Sequence, residues 1–202
     1  NTMYILEKIM RPISLICLLL GLSQVQVKAE ESRSAADSLK TYDNRYNEVV
    51  YRTVAPLAVG GGQGVSAPFA GSVGNALLVA GGCNFSDVPA AEGGTKKFYK
   101  GIYLLAHPEN LESQWQEVGA LTTPLAYGVG ITLPDGVACI GGTDGAKSYA
   151  TVTLLQYSNG QLQQKALPSL PVALDNMGGA YGGGYIYVAG GQSNAEPSYA
   201  AF

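Results

Sequence analysis

Three apolar runs in this sequence end on paired glycines: "NALLVAGG" at Gly81–Gly82, "GVACIGG" at Gly141–Gly142 and "GYIYVAGG" at Gly190–Gly191. The pairs lie 60 and then 49 residues apart. A second signature recurs out of phase with the first. "YRTVAPL" from Tyr51 and "WQEVGAL" from Trp115 place an aromatic, a Val and a Leu at identical spacing, 64 residues apart, and "LQQKALP" from Leu162 is a weaker third copy. Between the pairs lie two further apolar runs, "GIYLL" and "TVTLLQY". Self-similarity at such a period marks a repeat architecture.

Each period reads as four short strands. The first follows a lead-in loop ("SAPFAGSV", "AYGVGITL", "NMGGAYGG"), the second ends in Gly-Gly, the third carries Tyr or Leu, and the fourth carries Trp or its substitute. Four strands per period of roughly 50 residues is the kelch blade, so the chain is predicted to be all-β, a kelch-type β-propeller. An ordinary antiparallel sandwich also gives short strands with turn signals. It does not give repetition at matching internal positions. Glycine supplies positive φ and admits close backbone approach, so each pair should end its strand against a neighbouring blade near the central channel. Trp115 and Tyr103 are expected in the inter-blade core. Closure takes at least four blades. About three periods are present, and the last reaches "SYAAF" where its third strand should begin, so an incomplete propeller is expected.

Composition supports this and removes alternatives. The 202 residues include 27 Gly, 47% are hydrophobic and 13% are charged, which suits short strands and tight turns and excludes low-complexity disorder. A net charge of −3 without any Lys/Arg stripe gives no reason to expect nucleic acid, the densest basic spot being Lys96–Lys97. No His/Cys/carboxylate cluster stands at metal spacing, so neither metal nor cofactor is expected.

The N-terminus reads as a leader. Met10-Arg11 begins a short positive region, Ile13 to Leu22 is an apolar core, and small Ala29 follows Val27 by two. That is the order of a secretory signal peptide, and the core is short for a membrane span. A buried N-terminal helix is the plainer alternative. A lipid anchor at Cys17 is rejected because bulky Ile16 precedes it and the apolar run continues. The expected organisation is a signal peptide over 1–29, a polar segment over 30–50 and a partial propeller over 51–202. The protein is expected to be exported to the periplasm, with no membrane attachment after cleavage. Export implies an oxidising compartment, yet Cys83 and Cys139 stand on different blades and read as two buried thiols rather than a disulfide.

After Gly82 the chain takes a long polar detour before its third strand. The ordered set "GGCNFSDVPAAEGGTKKFYKGIYLL", then "LTTPLAYGVG", then "IGG" closely resembles the sialic acid mutarotase (N-acetylneuraminate epimerase) family of six-bladed kelch propellers. The shared elements are the glycine pair, an insertion ending Glu-Gly-x-x-Lys-Lys-x-Tyr (Glu92 to Tyr99), and Ala126-Tyr127-Gly128. The resemblance runs from about Val54 to Gly191. The order of parts looks rotated, as in the cyclically permuted branch: the glycine-pair blade comes first, and Pro171 to Gly191 resembles the founders' opening strands.

The resemblance implies six blades in the full protein and interconversion of the anomers of an acidic sugar such as N-acetylneuraminate. A base takes the anomeric hydroxyl proton, an acid protonates the ring oxygen, and the opened ring recloses on its other face. The family's Glu and Arg, within one Gly-Glu-containing stretch, match nothing here and are expected beyond Phe202, so no catalytic residue is assigned. Glu92 is the loop carboxylate considered as a substitute. Loops on a rigid scaffold carry sites, and the detour Cys83–Lys100 should share a face with the lead-in Ala120–Tyr127. Asn84, Glu92, Lys96, Lys97 and Tyr127 are therefore the candidate substrate-binding residues, either lysine being a cation for the sugar carboxylate. Each has a bland reading beside it. The lysines and Glu92 can be a solvated loop face, Asn84 a turn former and Tyr127 part of the core. His107, before Pro108, is expected at the surface of the opposite face. The rival to an enzyme is a kelch propeller that binds a glycan or protein partner without catalysis.

Overall fold

The computed structural model describes residues 4–9, 40–43, 48–194, 196–197 and 201–202. The chain divides into two compact units, Thr2–Val54 and Ala55–Phe202. In the first, strands β1 (Tyr4–Ile9), β2 (Lys40–Asp43) and β3 (Glu48–Thr53) form an antiparallel sheet in the order β1-β3-β2. Tyr51, expected to begin a blade's fourth strand, pairs here with Leu6 and Lys40. The apolar core Ile13–Leu22 and the cleavage position at Ala29 lie outside the described residues.

The second unit is built of blades. The first blade joins β4 (Phe69–Val73), β5 (Ala76–Ala80), β8 (Gly101–Leu105) and β9 (Gln116–Ala120) in that order. Between β5 and β8 the detour carries its own two-residue ladder, β6 (Cys83–Asn84) with β7 (Lys97–Phe98), and a 3-10 turn at Ala90–Glu92. The second blade is an uninterrupted meander of β10 (Val129–Leu133), β11 (Gly136–Ile140), β12 (Val152–Ser158) and β13 (Gln161–Leu167). The third opens with the hairpin β14 (Gly178–Gly182) and β15 (Tyr185–Ala189), followed by the small ladder β16 (Gln192–Ser193) with β17 (Glu196–Pro197). Phe202 exchanges both backbone hydrogen bonds with Val188 at 2.7 Å, in the place of a third strand. The described strands are thus those of a kelch-type propeller sector, with two whole blades and the start of another.

Period-two alternation on β11 assembles the core. Val137 and Cys139 face the first blade with Phe69, Leu78, Ile102 and Leu155. Ala138 and Ile140 face the third with Ile131, Leu174, Met177 and Val188. Every residue of β11 is buried, so the strand is apolar throughout, as a strand covered on both faces must be. Burial of a side chain such as Leu78 or Leu155, both 0% exposed, contributes about 1.5–3 kcal/mol each. Aliphatic residues and Phe69 fill this layer. Trp115 and Tyr103, expected there, are only half-buried, and Trp115 Nε1 donates to Ala55 O at 2.8 Å. Cys83 and Cys139 are free and buried, and burial pushes the Cys139 thiol far up.

The glycine pairs clamp blade to blade. Gly81 and Gly141 have φ of 61–66°, and a Cβ on either would strike the backbone carbonyl of the following blade's lead-in loop, Leu125 O or Leu174 O. The second glycine of each pair donates to that same carbonyl, Gly82 N to Leu125 O and Gly142 N to Leu174 O, both at 2.8 Å. The next residue then bridges back to its own lead-in loop: Ser66 with Cys83, Ala126 with Thr143, Asp175 with Gln192. Loops that follow a glycine pair and loops that lead into a blade are thereby held on one face.

Candidate functional site

Three non-glycine residues adopt left-handed backbone at equivalent places: Ala67 (φ 50), Tyr127 (φ 60) and Asn176 (φ 55). Each stands two residues before the first strand of its blade. Tyr127 N donates to Ala67 O at 2.9 Å, and Asn176 N donates to Tyr127 O at 2.7 Å. Successive blades are therefore linked through these residues in an arc. Left-handed backbone costs an L-residue about 1–2 kcal/mol, and such strain concentrates at functional sites.

A cleft of about 690 Å³ opens beside Tyr127 and Asn176. Its walls are Thr95, Lys96 and Phe98 of the detour, Thr143 to Ser148 of the second post-glycine loop, Asp175, and Gln192 with Asn194 of the third. The detour and the second loop pack tightly there, since a Cβ on Gly145 would meet the Phe98 ring at 2.6 Å.

Lys96 is the cation delivered to this cleft. Its Nζ donates to Tyr127 Oη at 2.6 Å and lies 4.8 Å and 5.4 Å from the ring centres of Tyr127 and Phe85. No carboxylate of a described residue pairs with it. The Tyr127 hydroxyl, by accepting that bond, holds the lysine above its ordinary pKa. Two aromatic faces and one hydroxyl leave the ammonium cationic with donors to spare. Lys147, over the Tyr149 ring at 5.0 Å, is a second cation on the rim.

The other sequence candidates are placed elsewhere. Lys97 points away and forms an exposed ion pair with Asp87 at 2.6 Å. Glu92 is exposed in its 3-10 turn and lines no part of the cleft. Asn84 is fully spent on architecture: Nδ2 donates to Gly60 O (3.1 Å) and Gly64 O (2.7 Å), and Oδ1 accepts from Tyr99 Oη (2.8 Å). It anchors the base of the detour to the loop before the first blade, instead of bonding its own turn. His107 is exposed beside Glu109.

Sequence reasoning missed Asp175, Asn176 and Ser148. Asp175 is 2% exposed, accepting from Ser148 Oγ at 2.5 Å and Asn176 Nδ2 at 2.6 Å. The signal for Asn176 was the repeat itself. Ala67, Tyr127 and Asn176 each precede the first glycine of their pair, Gly81, Gly141 and Gly190, by 14 residues. Among the described residues no group of three or more His, Cys, Asp or Glu could hold a metal. No described helix is long and apolar enough to cross a membrane.

Fold and cleft together define a sector of a kelch-type propeller whose loop face offers a polar cleft lined by Lys96, Lys147, Asp144 and Asp175 beside the rings of Phe98 and Tyr127. The family model of N-acetylneuraminate epimerase matches residues 31–163. The chain belongs to that family. N-acetylneuraminate epimerase of Yersinia pestis (strain Pestoides F) is 34% identical over 110 residues, covering 50% of this chain and 27% of that protein. The same enzyme of Vibrio vulnificus (strain YJ016) is 35% identical over 114 residues, covering 53% and 30%. The chain thus spans somewhat over a quarter of the length of these relatives. A solved structure described as "Structure of YjhT" superposes with a TM-score of 0.50 at 25% identity, covering 58% of this chain and 34% of that one.

Proposed function

We propose that the full-length protein interconverts the anomers of an acidic sugar of the N-acetylneuraminate kind, and that this cleft holds the sugar through its carboxylate. The observation that carries the reading is Lys96, an ammonium with no carboxylate partner among the described residues, seated at 2.6 Å on Tyr127 Oη in the cleft wall. A sugar carboxylate entering there gains a charge-assisted bond from Nζ and a second from the Tyr127 hydroxyl proton, which the Lys96 bond leaves free. Fixing the carboxylate fixes the anomeric carbon that bears it. Ring opening then moves one proton off the anomeric hydroxyl and one onto the ring oxygen, and reclosure reverses both. Ser148 and Asp175 line the same cleft, but no acid or base is assigned to them. The protein is proposed to be exported with cleavage near Ala29, which mass spectrometry of the mature N-terminus checks.

The test is calorimetric titration of N-acetylneuraminate into wild type and Lys96→Ala, beside NMR measurement of anomer exchange. A charge-assisted bond contributes about 1.5–3 kcal/mol, so the variant should bind about ten- to a hundredfold more weakly. Because the lysine pKa is raised, the contribution is fully present below the ordinary lysine value of about 10.4 and is lost as pH rises through the higher one. Wild-type affinity should therefore stay level across neutral and mildly alkaline pH. Wild-type binding without faster anomer exchange would make the propeller a binding module, and equal binding by Lys96→Ala would refute the site.

A further inference from the structure

Tyr127 and Asn176 hold the same place in successive blades, yet they present opposite hydrogen-bonding polarity to the cleft. Tyr127 Oη already accepts from Lys96, so what it has left to offer is a proton. Asn176 is set the other way. Its Nδ2 donates to Asp175 Oδ1 at 2.6 Å, and a carboxylate accepts without donating. The carboxamide nitrogen must therefore face Asp175, which turns the carbonyl oxygen Oδ1 away from it. No described residue donates to that oxygen, and Asn176 is exposed at the cleft wall.

Asp175 is held rigidly enough to impose the orientation. Ser148 Oγ donates to its Oδ2 at 2.5 Å, and the same Oγ accepts from Asn194 N at 2.7 Å. Asn194 Oδ1 in turn accepts from Ser148 N at 2.9 Å. The Asp175 backbone exchanges both of its bonds with Gln192, at 2.8–2.9 Å. Asn is also among the few L-residues that tolerate left-handed backbone, so a φ of 55° fixes the root of the side chain.

Building on the reading of this cleft as an acidic-sugar site, we infer that Asn176 is a specificity-determining residue whose Oδ1 accepts a hydrogen bond from an uncharged donor of the sugar, a hydroxyl or an acetamido N–H. Asp175 is the positioning residue that keeps that acceptor outward. The cleft then discriminates by polarity along the arc, with donors at Lys96 and Tyr127 for the carboxylate and an acceptor one blade on.

The experiment is a double-mutant cycle read by calorimetry on the full-length protein, with each variant first shown to melt cooperatively. The probes are N-acetylneuraminate and its counterpart carrying a hydroxyl in place of the acetamido group. Asn176→Ala should bind about five- to tenfold more weakly, the scale of one uncharged hydrogen bond. Loss with N-acetylneuraminate alone names the amide as donor, and equal loss with both names a hydroxyl. Asp175→Asn keeps size and keeps a carbonyl for Ser148. It places an NH2 against Asn176, whose carboxamide then turns its carbonyl inward. That change should weaken binding severalfold in wild type and have no effect in the Asn176→Ala background. Equal weakening in both backgrounds would reduce Asp175 to a structural residue and overturn its role. Binding by Asn176→Ala within twofold of wild type would overturn the inference while the carboxylate reading stands, and absence of binding by wild type would overturn both.

Discussion

The loops that follow the first two glycine pairs start from the same clamp and solve different problems. The second, Thr143–Ala150, turns most of its polar side chains inward, that of Ser148 alone bonding outward to Asp175 and Asn194. Asp144 Oδ1 accepts from Ala146 N (2.8 Å) and Lys147 N (3.0 Å), Tyr149 Oη donates to Asp144 Oδ2 (2.8 Å), and Thr143 Oγ1 bonds Lys147 O and Gly145 N. The first, Cys83–Lys100, is anchored at its base by Asn84 and Tyr99 and leaves its tip open, so that Lys96 reaches Tyr127 of the next blade. The short loop bonds itself and, through Ser148, the loops directly beside it. The extra length of the detour sets Lys96, whose ammonium meets the hydroxyl of Tyr127 across the blade boundary, twelve residues beyond Asn84, which anchors it.

The largest effect should come from breaking the clamp both loops share. Gly141→Ala places a methyl on left-handed backbone against Leu174 O. The conformation costs about 1–2 kcal/mol, and overpacking in a filled site adds about 1–3 kcal/mol. Urea unfolding should report a loss of about 3 kcal/mol. Gly190 has similar φ but no described residue within 4 Å of its missing Cβ, so Gly190→Ala in the same 202-residue chain should show little beyond the conformational cost. Equal losses would mean that close approach plays no part at Gly141.

Next in size is the anchor. Asn84→Ala deletes three hydrogen bonds in a half-buried position, each contributing about 0.5–1.5 kcal/mol. A stability loss of about 2–3 kcal/mol is expected in chemical denaturation. The corresponding change in the second loop, Asp144→Ala, should cost less because its bonds are near the surface. Its backbone N–H partners, Lys147 first, and the Tyr149 hydroxyl hold Asp144 below the ordinary carboxylate range. The carboxylate therefore stabilises the turn fully above the unfolded value of about 3.9 and loses its effect as pH falls through the lower folded one. NMR shifts of Ala146 and Lys147 amides should stay constant down to pH about 4 and move only below it. Movement near pH 5 to 6 would contradict the assignment.

The blade grammar was legible because backbone geometry writes it directly into residue type. Only glycine fits where Gly81 and Gly141 meet the next blade's carbonyl, and apolar runs must lie between. Lys96 and Tyr127 were legible as loop residues of adjacent blades for the same reason. Lys97, Glu92 and Asn84 were grouped with them because position in a loop does not say which way a side chain turns. In β7 the neighbouring residues Lys97 and Phe98 alternate across the ladder, and a two-residue strand gives no hydrophobic pattern to fix that alternation in advance. Asp175 was not legible at all. Its burial arises from Ser148, Asn194 and Gln192, which come from loops of two different blades.

The smallest effect sharpens the contrast between two adjacent lysines. Lys97 pairs with Asp87 at 2.6 Å, but the two side chains are 50% and 67% exposed. Each moves the other's pKa in the direction of the charged form, Asp87 down and Lys97 up. Such a pair in water contributes little, because solvent screens it and ordering two long side chains offsets the attraction. Lys96 differs only in which way it turns: its ammonium lies over two rings at a cleft wall, where desolvation makes a new anion contact worth more. Lys97→Ala should therefore leave N-acetylneuraminate affinity within about twofold of wild type, while Lys96→Ala shows its full loss in the same titration. Raising salt should weaken sugar binding in wild type and Lys97→Ala by the same factor, since both retain the cation that meets the carboxylate. If Lys97→Ala instead reproduces the Lys96→Ala loss, the two lysines act as one basic spot, and the detour presents charge without presenting a particular side chain.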